Sequence, residues 1–156
     1  MVGYSARESE TLASIRKLLL GALALGVLGT SGELILLRHI DMPPQWIPLV
    51  ILGVSIPLLI WHAVSPSAGS VRAMQALMVV FIVAGVAGVG FHFDSNVEFE
   101  RELRPTEQGF EFLRKTVAGA TPVLAPGSIV LLGLVGLAHT YRHPYAAGPG
   151  GQERDV

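Results

Sequence analysis

The segment Trp46 to Val64 reads WIPLVILGVSIPLLIWHAV and contains no Asp, Glu, Lys or Arg. As a helix it is long enough for the hydrocarbon core of a bilayer, which is about 30 Å thick. Tryptophan stands at Trp46 and again at Trp61, as in the aromatic belts at the two membrane interfaces. Pro57 lies deep in the run and is expected to kink the helix. The segment therefore predicts a membrane-spanning helix.

Three more apolar runs lie around it, with approximate bounds at residues 18–37, 74–91 and 125–141. The first contains a single charge, Glu33. It is too long for a signal peptide, and no convincing cleavage site follows Gly29. Buried helices of a soluble protein are the alternative, but four such runs with almost no amphipathic period argue against it. We predict an all-α polytopic membrane protein, a four-transmembrane-helix up-down bundle. It forms one domain over residues 1–145, followed by a disordered tail over 146–156.

The composition of the chain agrees with this class. Of its 156 residues, 51% are hydrophobic and 15% are charged, whereas a soluble domain carries about 25% charged residues. The net charge of −1 gives no reason to expect a nucleic-acid partner. The chain has no cysteine, which excludes disulfides, cysteine-based zinc sites and iron–sulfur clusters. The lipid bilayer is the expected environment.

Small residues recur at helical spacing within the runs and predict a tight bundle, because packing drives helix association in lipid. Gly26 and Gly29 share one face with Glu33 in the first run, so Glu33 is expected to point toward a helix contact. The third run has Ala84 and Gly88 four residues apart, with Gly85, Ala87 and Gly90 beside them, and the fourth has Gly133 and Gly136.

Basic residues set the expected orientation. Arg16 and Lys17 lie directly before the first run and favour a cytoplasmic N-terminus, although the totals on the two sides are nearly balanced. Four crossings then place both termini in the cytoplasm and the connection 92–121 outside it.

The connection 92–121 has two parts. From His92 to Leu103 polar and apolar residues largely alternate, which predicts an extended stretch. Phe110, Leu113 and Val117 then fall at i, i+3 and i+7, which predicts a short amphipathic surface helix on the bundle or in the lipid interface.

Three short motifs carry a resemblance to a known group of proteins. They are Asn96-Val97-Glu98-Phe99-Glu100, Gly119-Ala120-Thr121-Pro122 and Leu124-Ala125-Pro126-Gly127. In these motifs the chain resembles a family of small four-span bacterial inner-membrane proteins that carries no assigned activity. The resemblance implies a multi-pass protein of the bacterial inner membrane and assigns no catalytic residue.

Glu33 is an acidic residue that lies inside a predicted span. Such a group is costly in lipid and faces a partner or the bundle interior, where it serves as an ion or proton ligand. The alternative is a structural group near the membrane edge, because Arg38 lies only about 8 Å further along the helix axis.

Four histidines lie at or near the C-terminal ends of the predicted spans. In an up-down bundle His39 and His92 share one side of the membrane, and His62 and His139 share the other. Each pair has the residue type for axial ligation of a b-type haem. The alternative is that histidine simply suits a helix C-terminus at the membrane interface.

A mixed set of carboxylates and histidine marks a second candidate site, for a divalent metal. Such ligands suit zinc, manganese or iron, and carboxylates alone suit calcium. The alternative is a solvated acidic face or a partner surface. The candidate metal ligands are Glu33, His92, Asp94, Glu98, Glu100 and Glu102, with His39 and Asp41 on the same side.

The sequence contains no recognised enzyme motif and supports no assignment of a catalytic residue, and the glycines from Gly85 to Gly90 lie inside a span rather than in a phosphate loop. The expected function is therefore an accessory or scaffold subunit, which presents its acidic extracytoplasmic loop to other membrane subunits or to a second copy. The alternative is a small metal-ion-handling or haem b-binding membrane protein that uses Glu33 and the helix-end histidines.

Overall fold

The computed structural model describes residues 2–38, 43–119, 123 and 125–146. Within them the chain forms five α-helices, which confirms the all-α class. The helices are α1 Val2–Leu36, α2 Trp46–Val64, α3 Ala68–Leu103, α4 Gly109–Val117 and α5 Gly127–Thr140. Short 3₁₀ turns lie at Pro43–Gln45 and Pro144–Ala146. The bounds of α2 coincide with the predicted span, and the helix continues through Pro57.

Three of these helices are long and apolar enough to cross a membrane: Glu8–Leu36 within α1, together with α2 and α3. The helix α5 is apolar but has 14 residues, or about 21 Å. The outer faces carry large apolar side chains that no other part of the described chain covers, including Leu25 and Val83, which are 74% and 63% exposed. These features are compatible with a multi-pass membrane protein.

The helix α3 is central to the packing, with α2, α4 and α5 in contact with it, while α1 packs on α2 and α5. The apolar core lies where α1, α2, α3 and α5 meet. Its fully buried side chains include Leu23 of α1, Leu52 of α2, and Met74, Met78 and Phe81 of α3.

Glycines allow α3 and α5 to approach closely, as the small-residue pattern predicts. A Cβ added at Gly85 would lie 2.9 Å from the main-chain nitrogen of Val130, and one at Gly133 would lie 2.8 Å from the carbonyl oxygen of Met78. Both distances are below ordinary van der Waals contact, so these two backbones meet with no space for a side chain.

The prediction of which face of α1 contacts other helices is only partly correct. Gly26 lies directly against the side chain of Leu132, but nothing lies within 4 Å of the Cβ position of Gly29. Glu33 is exposed on the helix surface, so within the described chain it does not point toward a helix contact. The direction in which α1 faces its neighbours is fixed by Leu23 and Val27, which are both fully buried.

The predicted extended stretch from His92 to Leu103 is also wrong, because α3 continues as a helix to Leu103. After Gly90 the sequence contains no glycine or proline until Pro105. The residue before a proline is disfavoured in helical conformation, so the helix is expected to end just before Pro105. Asn96 and Glu100, four residues apart, are buried on one helix face. The segment therefore follows this helical period of four residues and not the polar–apolar alternation.

The polar segment that precedes the first predicted span is also helical and belongs to α1, which begins at Val2. The short helix predicted around Phe110 to Val117 is confirmed as α4. Several predictions lie outside the described residues: the pairing of His39 with His92, the site role of Asp41, the motif residues Ala120–Pro122 and Leu124, and the disordered tail beyond Ala146.

Candidate functional site

Three histidines meet at the end of the bundle where α2 and α5 end and α3 begins. His62 lies in the last turn of α2 and His139 in the last turn of α5. His143 follows after a turn in which Arg142 has a positive φ of 45°. All three side chains are buried, with 3%, 3% and 8% of their surface exposed. We call this group the histidine cluster.

The three rings of the histidine cluster contact one another. The Nε2 atoms of His62 and His139 are 3.0 Å apart, and their ring planes are nearly perpendicular. The ring of His143 lies 5.2 Å from that of His62 and 5.4 Å from that of His139, between centroids. One ring nitrogen from each residue lies within 4.8 Å of the other two, so three nitrogen ligands converge on one point.

Hydrogen bonds behind the rings fix the orientation of two of them. The Nδ1 of His139 lies 3.0 Å from the main-chain carbonyl oxygen of Arg16 in α1. A carbonyl only accepts, so this nitrogen carries the proton and the neutral ring presents Nε2 as a lone pair. The Nδ1 of His62 lies 3.0 Å from the Oγ of Ser70 in α3.

Ser70 is itself held by the N-terminal cap of α3. Its Oγ accepts a hydrogen bond from the main-chain nitrogen of Ser67 at 2.9 Å and donates one to the Ser67 carbonyl oxygen at 3.0 Å. The Ser70 nitrogen in turn donates to the Oγ of Ser67 at 3.2 Å. This capping box places the hydroxyl of Ser70 at the back of the His62 ring.

His143 lies beyond the end of α5. Its ring stacks on Tyr145, and its Nδ1 accepts a 3.4 Å hydrogen bond from the Tyr145 main-chain nitrogen. Burial, together with the electrostatic effect of the neighbouring His139, His62 and Arg16, lowers the pKa of His143 to about 4. The ring is therefore neutral at pH 7, which is the form that binds metals.

Arg16 ties the N-terminal part of α1 to the same end of the bundle. Its guanidinium donates hydrogen bonds to the carbonyl oxygens of Tyr141 and Arg142, at 3.4 and 3.1 Å. Residues from α1, α2, α3 and α5 thus all take part in or around the histidine cluster.

The structure brings His62 and His139 together, as the alternating direction of the helices predicts. Their direct contact does not fit a haem, because bis-histidine ligation places the iron and the porphyrin plane between the two rings. His92 lies in α3, on the far side of the bundle from the cluster, and is half-buried.

The predicted carboxylate site is not assembled. Asp94, Glu98 and Glu102 form an exposed stripe on one face of α3, while Glu100 is buried on another face and pairs with Arg104. Among the residues that the structure describes, the histidine cluster is the only group of three metal-ligand side chains within reach of one ion. Neither Glu33 nor the acidic stripe belongs to it.

His143 is the functional candidate that sequence reasoning missed, because the pair His143-Pro144 marks the end of a helical run. A signal was present, since His139 and His143 are four residues apart. That spacing places two side chains on the same side of a helix.

The other end of α3 carries a second feature, the α3–α4 hairpin, formed by residues 92–117. The Nδ2 of Asn96 donates to the carbonyl oxygen of Thr116 at 2.9 Å, and the hairpin also contains several ion pairs. The pairs are Arg104 with Glu100 and Glu107, Lys115 with Glu107 and Glu111, and Arg114 with Glu111. On the outer side of α4, Phe110, Leu113 and Val117 are 79%, 47% and 43% exposed.

No family model matches the chain, and no curated protein or solved structure shows significant similarity to it.

Proposed function

We propose that the chain crosses a membrane four times and acts as an accessory subunit that presents the α3–α4 hairpin to a partner protein. The fourth crossing is α5. It packs along the apolar part of α3, with Gly85 of α3 beside Pro126 at one end. At the other end Gln75 donates to the Thr140 carbonyl oxygen at 3.4 Å. The helix α5 therefore lies along the part of the apolar run of α3 between Gln75 and Gly85.

The observation that carries the proposal is the exposed apolar stripe of α4: Phe110, Leu113 and Val117. The apolar run of α3 ends near Phe91, and α3 then continues to Leu103, which extends the helix about 18 Å further. The helix α4 runs back along this extension, so its stripe lies beyond the apolar depth of the bundle. A contiguous apolar patch in that position favours contact with another protein.

The hairpin is ordered before any partner arrives. The buried Asn96–Thr116 hydrogen bond joins α4 to α3, and Glu107 in the loop between them pairs with both Arg104 and Lys115. A surface that is already in its binding conformation loses less entropy on association.

Charge gives the chemistry of the partner. Asp94, Glu98 and Glu102 stand outside the ion-pair network of the hairpin and form an acidic face on α3. Acidic surfaces steer basic partners and exclude acidic ones. The proposed partner is a membrane protein whose extramembrane segment combines apolar side chains with Lys or Arg.

The location follows from the same arrangement. Arg16 and Lys17 flank the first span and favour a cytoplasmic N-terminus. With four crossings both termini are cytoplasmic and the hairpin is extracytoplasmic. The resemblance in the motifs of the hairpin and of the segment after it supports the bacterial inner membrane.

The test is site-specific photo-crosslinking of the full chain in its native membrane, with the reactive group at Ala118, which is exposed beside the stripe. The expected product joins this position to a partner segment that carries apolar and basic residues. Phe110→Ser with Leu113→Ser should abolish the product. The matched control is Phe99→Ser with Leu103→Ser, which changes two exposed apolar residues of α3 in the same hairpin and should keep it. Cross-links only to lipid or to the chain itself, or equal loss in both variants, would contradict the proposal.

A second candidate function, the handling of a metal ion, is favoured by the histidine cluster, and its site is argued next.

A further inference from the structure

We propose that His62, His139 and His143 form a binding site for one divalent transition-metal ion of the zinc class. The site lies at the opposite end of α3 from the hairpin, and the inference is independent of the partner-binding proposal. It differs from the carboxylate-rich site expected from sequence in both its ligands and its place.

The hydrogen bonds around the cluster determine which ring nitrogens face its centre. The Ser70 hydroxyl has one proton and two lone pairs. It gives the proton to the Ser67 carbonyl and accepts from the Ser67 main-chain nitrogen. Its contact with His62 is therefore complete when the Nδ1 of His62 donates. His62 then presents the lone pair of Nε2, just as the Arg16 carbonyl makes His139 do.

Two nitrogen lone pairs consequently face each other at 3.0 Å. Two acceptors at this distance repel, so the contact is stabilised by a cation shared between them, which is either a proton or a metal ion. A metal ion stabilises the contact with both hydrogen bonds behind the rings intact. In metal-binding histidines the second ring nitrogen characteristically donates to a carbonyl or carboxylate in the same way.

The distances suit a small ion. Zinc–nitrogen bonds of about 2.0–2.1 Å in a tetrahedral site put the ligand nitrogens about 3.4 Å apart. His62 and His139 are already near this separation, and the three ligand nitrogens all lie within 4.8 Å of one another. Closing around an ion requires the third ring to move by no more than about 1.4 Å. His143 lies in the turn after α5, where such an adjustment leaves the helices unchanged.

The ligand set defines the class of metal. Imidazole nitrogens suit zinc, copper, nickel and iron, whereas calcium and magnesium require oxygen ligands. The three ligands found in the described part of the chain are all imidazoles. Zinc sites with three protein ligands take water or an exogenous ligand in the fourth position.

The test uses the full chain purified in detergent, stripped with a chelator and titrated with Co²⁺ as a spectroscopic substitute for Zn²⁺. The expected result is one Co²⁺ per chain with the intense visible bands of a tetrahedral nitrogen site, displaced by Zn²⁺. His143→Ala should weaken binding at least tenfold. This variant carries the least risk to folding, because His143 lies outside the helices.

The matched control is His92→Ala, which removes a half-buried histidine of α3 outside the cluster and should leave Co²⁺ binding unchanged. A folded wild-type protein that takes up no stoichiometric Co²⁺ would overturn the inference. So would a loss of binding in His92→Ala as large as that in His143→Ala. If His143→Ala does not fold, the wild-type titration alone decides.

Discussion

The side-chain Nδ2 of Asn96 donates a 2.9 Å hydrogen bond to the main-chain carbonyl oxygen of Thr116, and both residues are almost completely buried. This bond joins the extension of α3 to the last turn of α4. Gly119 lies directly beside it, since a Cβ there would be 2.8 Å from the Cγ of Asn96. A buried polar contact thus joins the two helices of the hairpin, and Gly119 packs directly against it.

Asn96→Ala should loosen α4 without unfolding the bundle. The Thr116 carbonyl loses its short side-chain donor and keeps a long hydrogen bond of 3.4 Å from the Gly119 main-chain nitrogen. A buried carbonyl that is under-satisfied in this way costs about 1–3 kcal/mol. The amides of α4 should exchange with solvent roughly tenfold or more faster, because about 1.4 kcal/mol corresponds to a factor of ten. Hydrogen exchange measured by mass spectrometry on the peptide 109–117 checks this. Ser95→Ala, at an exposed neighbouring position, serves as the control, and unchanged exchange in Asn96→Ala would refute the role of the bond.

Gly133→Ala should destabilise the protein by forcing α3 and α5 apart. The added Cβ would lie 2.8 Å from the Met78 carbonyl oxygen, which is backbone and cannot turn away. Overpacking of this kind typically costs about 1–3 kcal/mol. The control is Gly90→Ala in α3, where nothing lies within 4 Å of the added Cβ and alanine is favoured in a helix. Thermal unfolding in detergent should show a lower midpoint for Gly133→Ala only; equal midpoints would count against the close approach.

Ser70→Ala should weaken metal binding while the three ligands remain. Without the hydroxyl, the Nδ1 of His62 loses the acceptor that orients it, and loss of such an outer partner typically lowers metal affinity about 10–100-fold. Competition of Zn²⁺ between the protein and a chromophoric chelator measures the change. Ser128→Ala, an exposed serine at the start of α5, should bind as the wild type does. Identical affinities in both variants would remove Ser70 from the site.

Metal removal should lower the thermal stability of the bundle. An ion that binds only the folded state stabilises it by about 2.7 kcal/mol when its free concentration is 100 times the dissociation constant. The unfolding midpoint should therefore fall on addition of chelator and return with excess Zn²⁺. His143→Ala should respond much less at the same zinc concentration. If neither chelator nor Zn²⁺ changes the unfolding midpoint of the wild-type protein, the cluster holds no ion in the folded state.

Much of the helical layout follows from the sequence, because apolar length and proline positions are local properties. The bounds of α2 and the glycine faces of α3 and α5 are of this kind. The extension of α3 does not follow from the sequence, because the segment from His92 to Leu103 contains two patterns. Its polar–apolar alternation indicates an extended stretch, whereas the pair Asn96 and Glu100, four residues apart, indicates a helix. Only packing against α4 decides which of the two periods is used.

The site was harder to predict than the helices, for a similar reason. The pairing of His62 with His139 follows from helix direction alone. The rotation of α1 about its own axis does not follow from the sequence. Gly26, Gly29 and Glu33 share one face of this helix, but of the three only Gly26 contacts another helix. The participation of His143 depends on the turn at Arg142, where a positive φ folds the chain back over the cluster, and no pattern in the sequence specifies that turn.

The helix α3 connects the histidine cluster to the hairpin without a break. Ser70, beside the histidine cluster, and Asn96, in the hairpin, belong to one continuous helix and are about 39 Å apart along its axis. A tilt of about 10° about the Ser70 end would displace the hairpin by about 7 Å, more than the radius of a helix. A small rearrangement of the three imidazoles that tilted α3 would therefore displace the hairpin, at the opposite end of the helix, by a distance of this size.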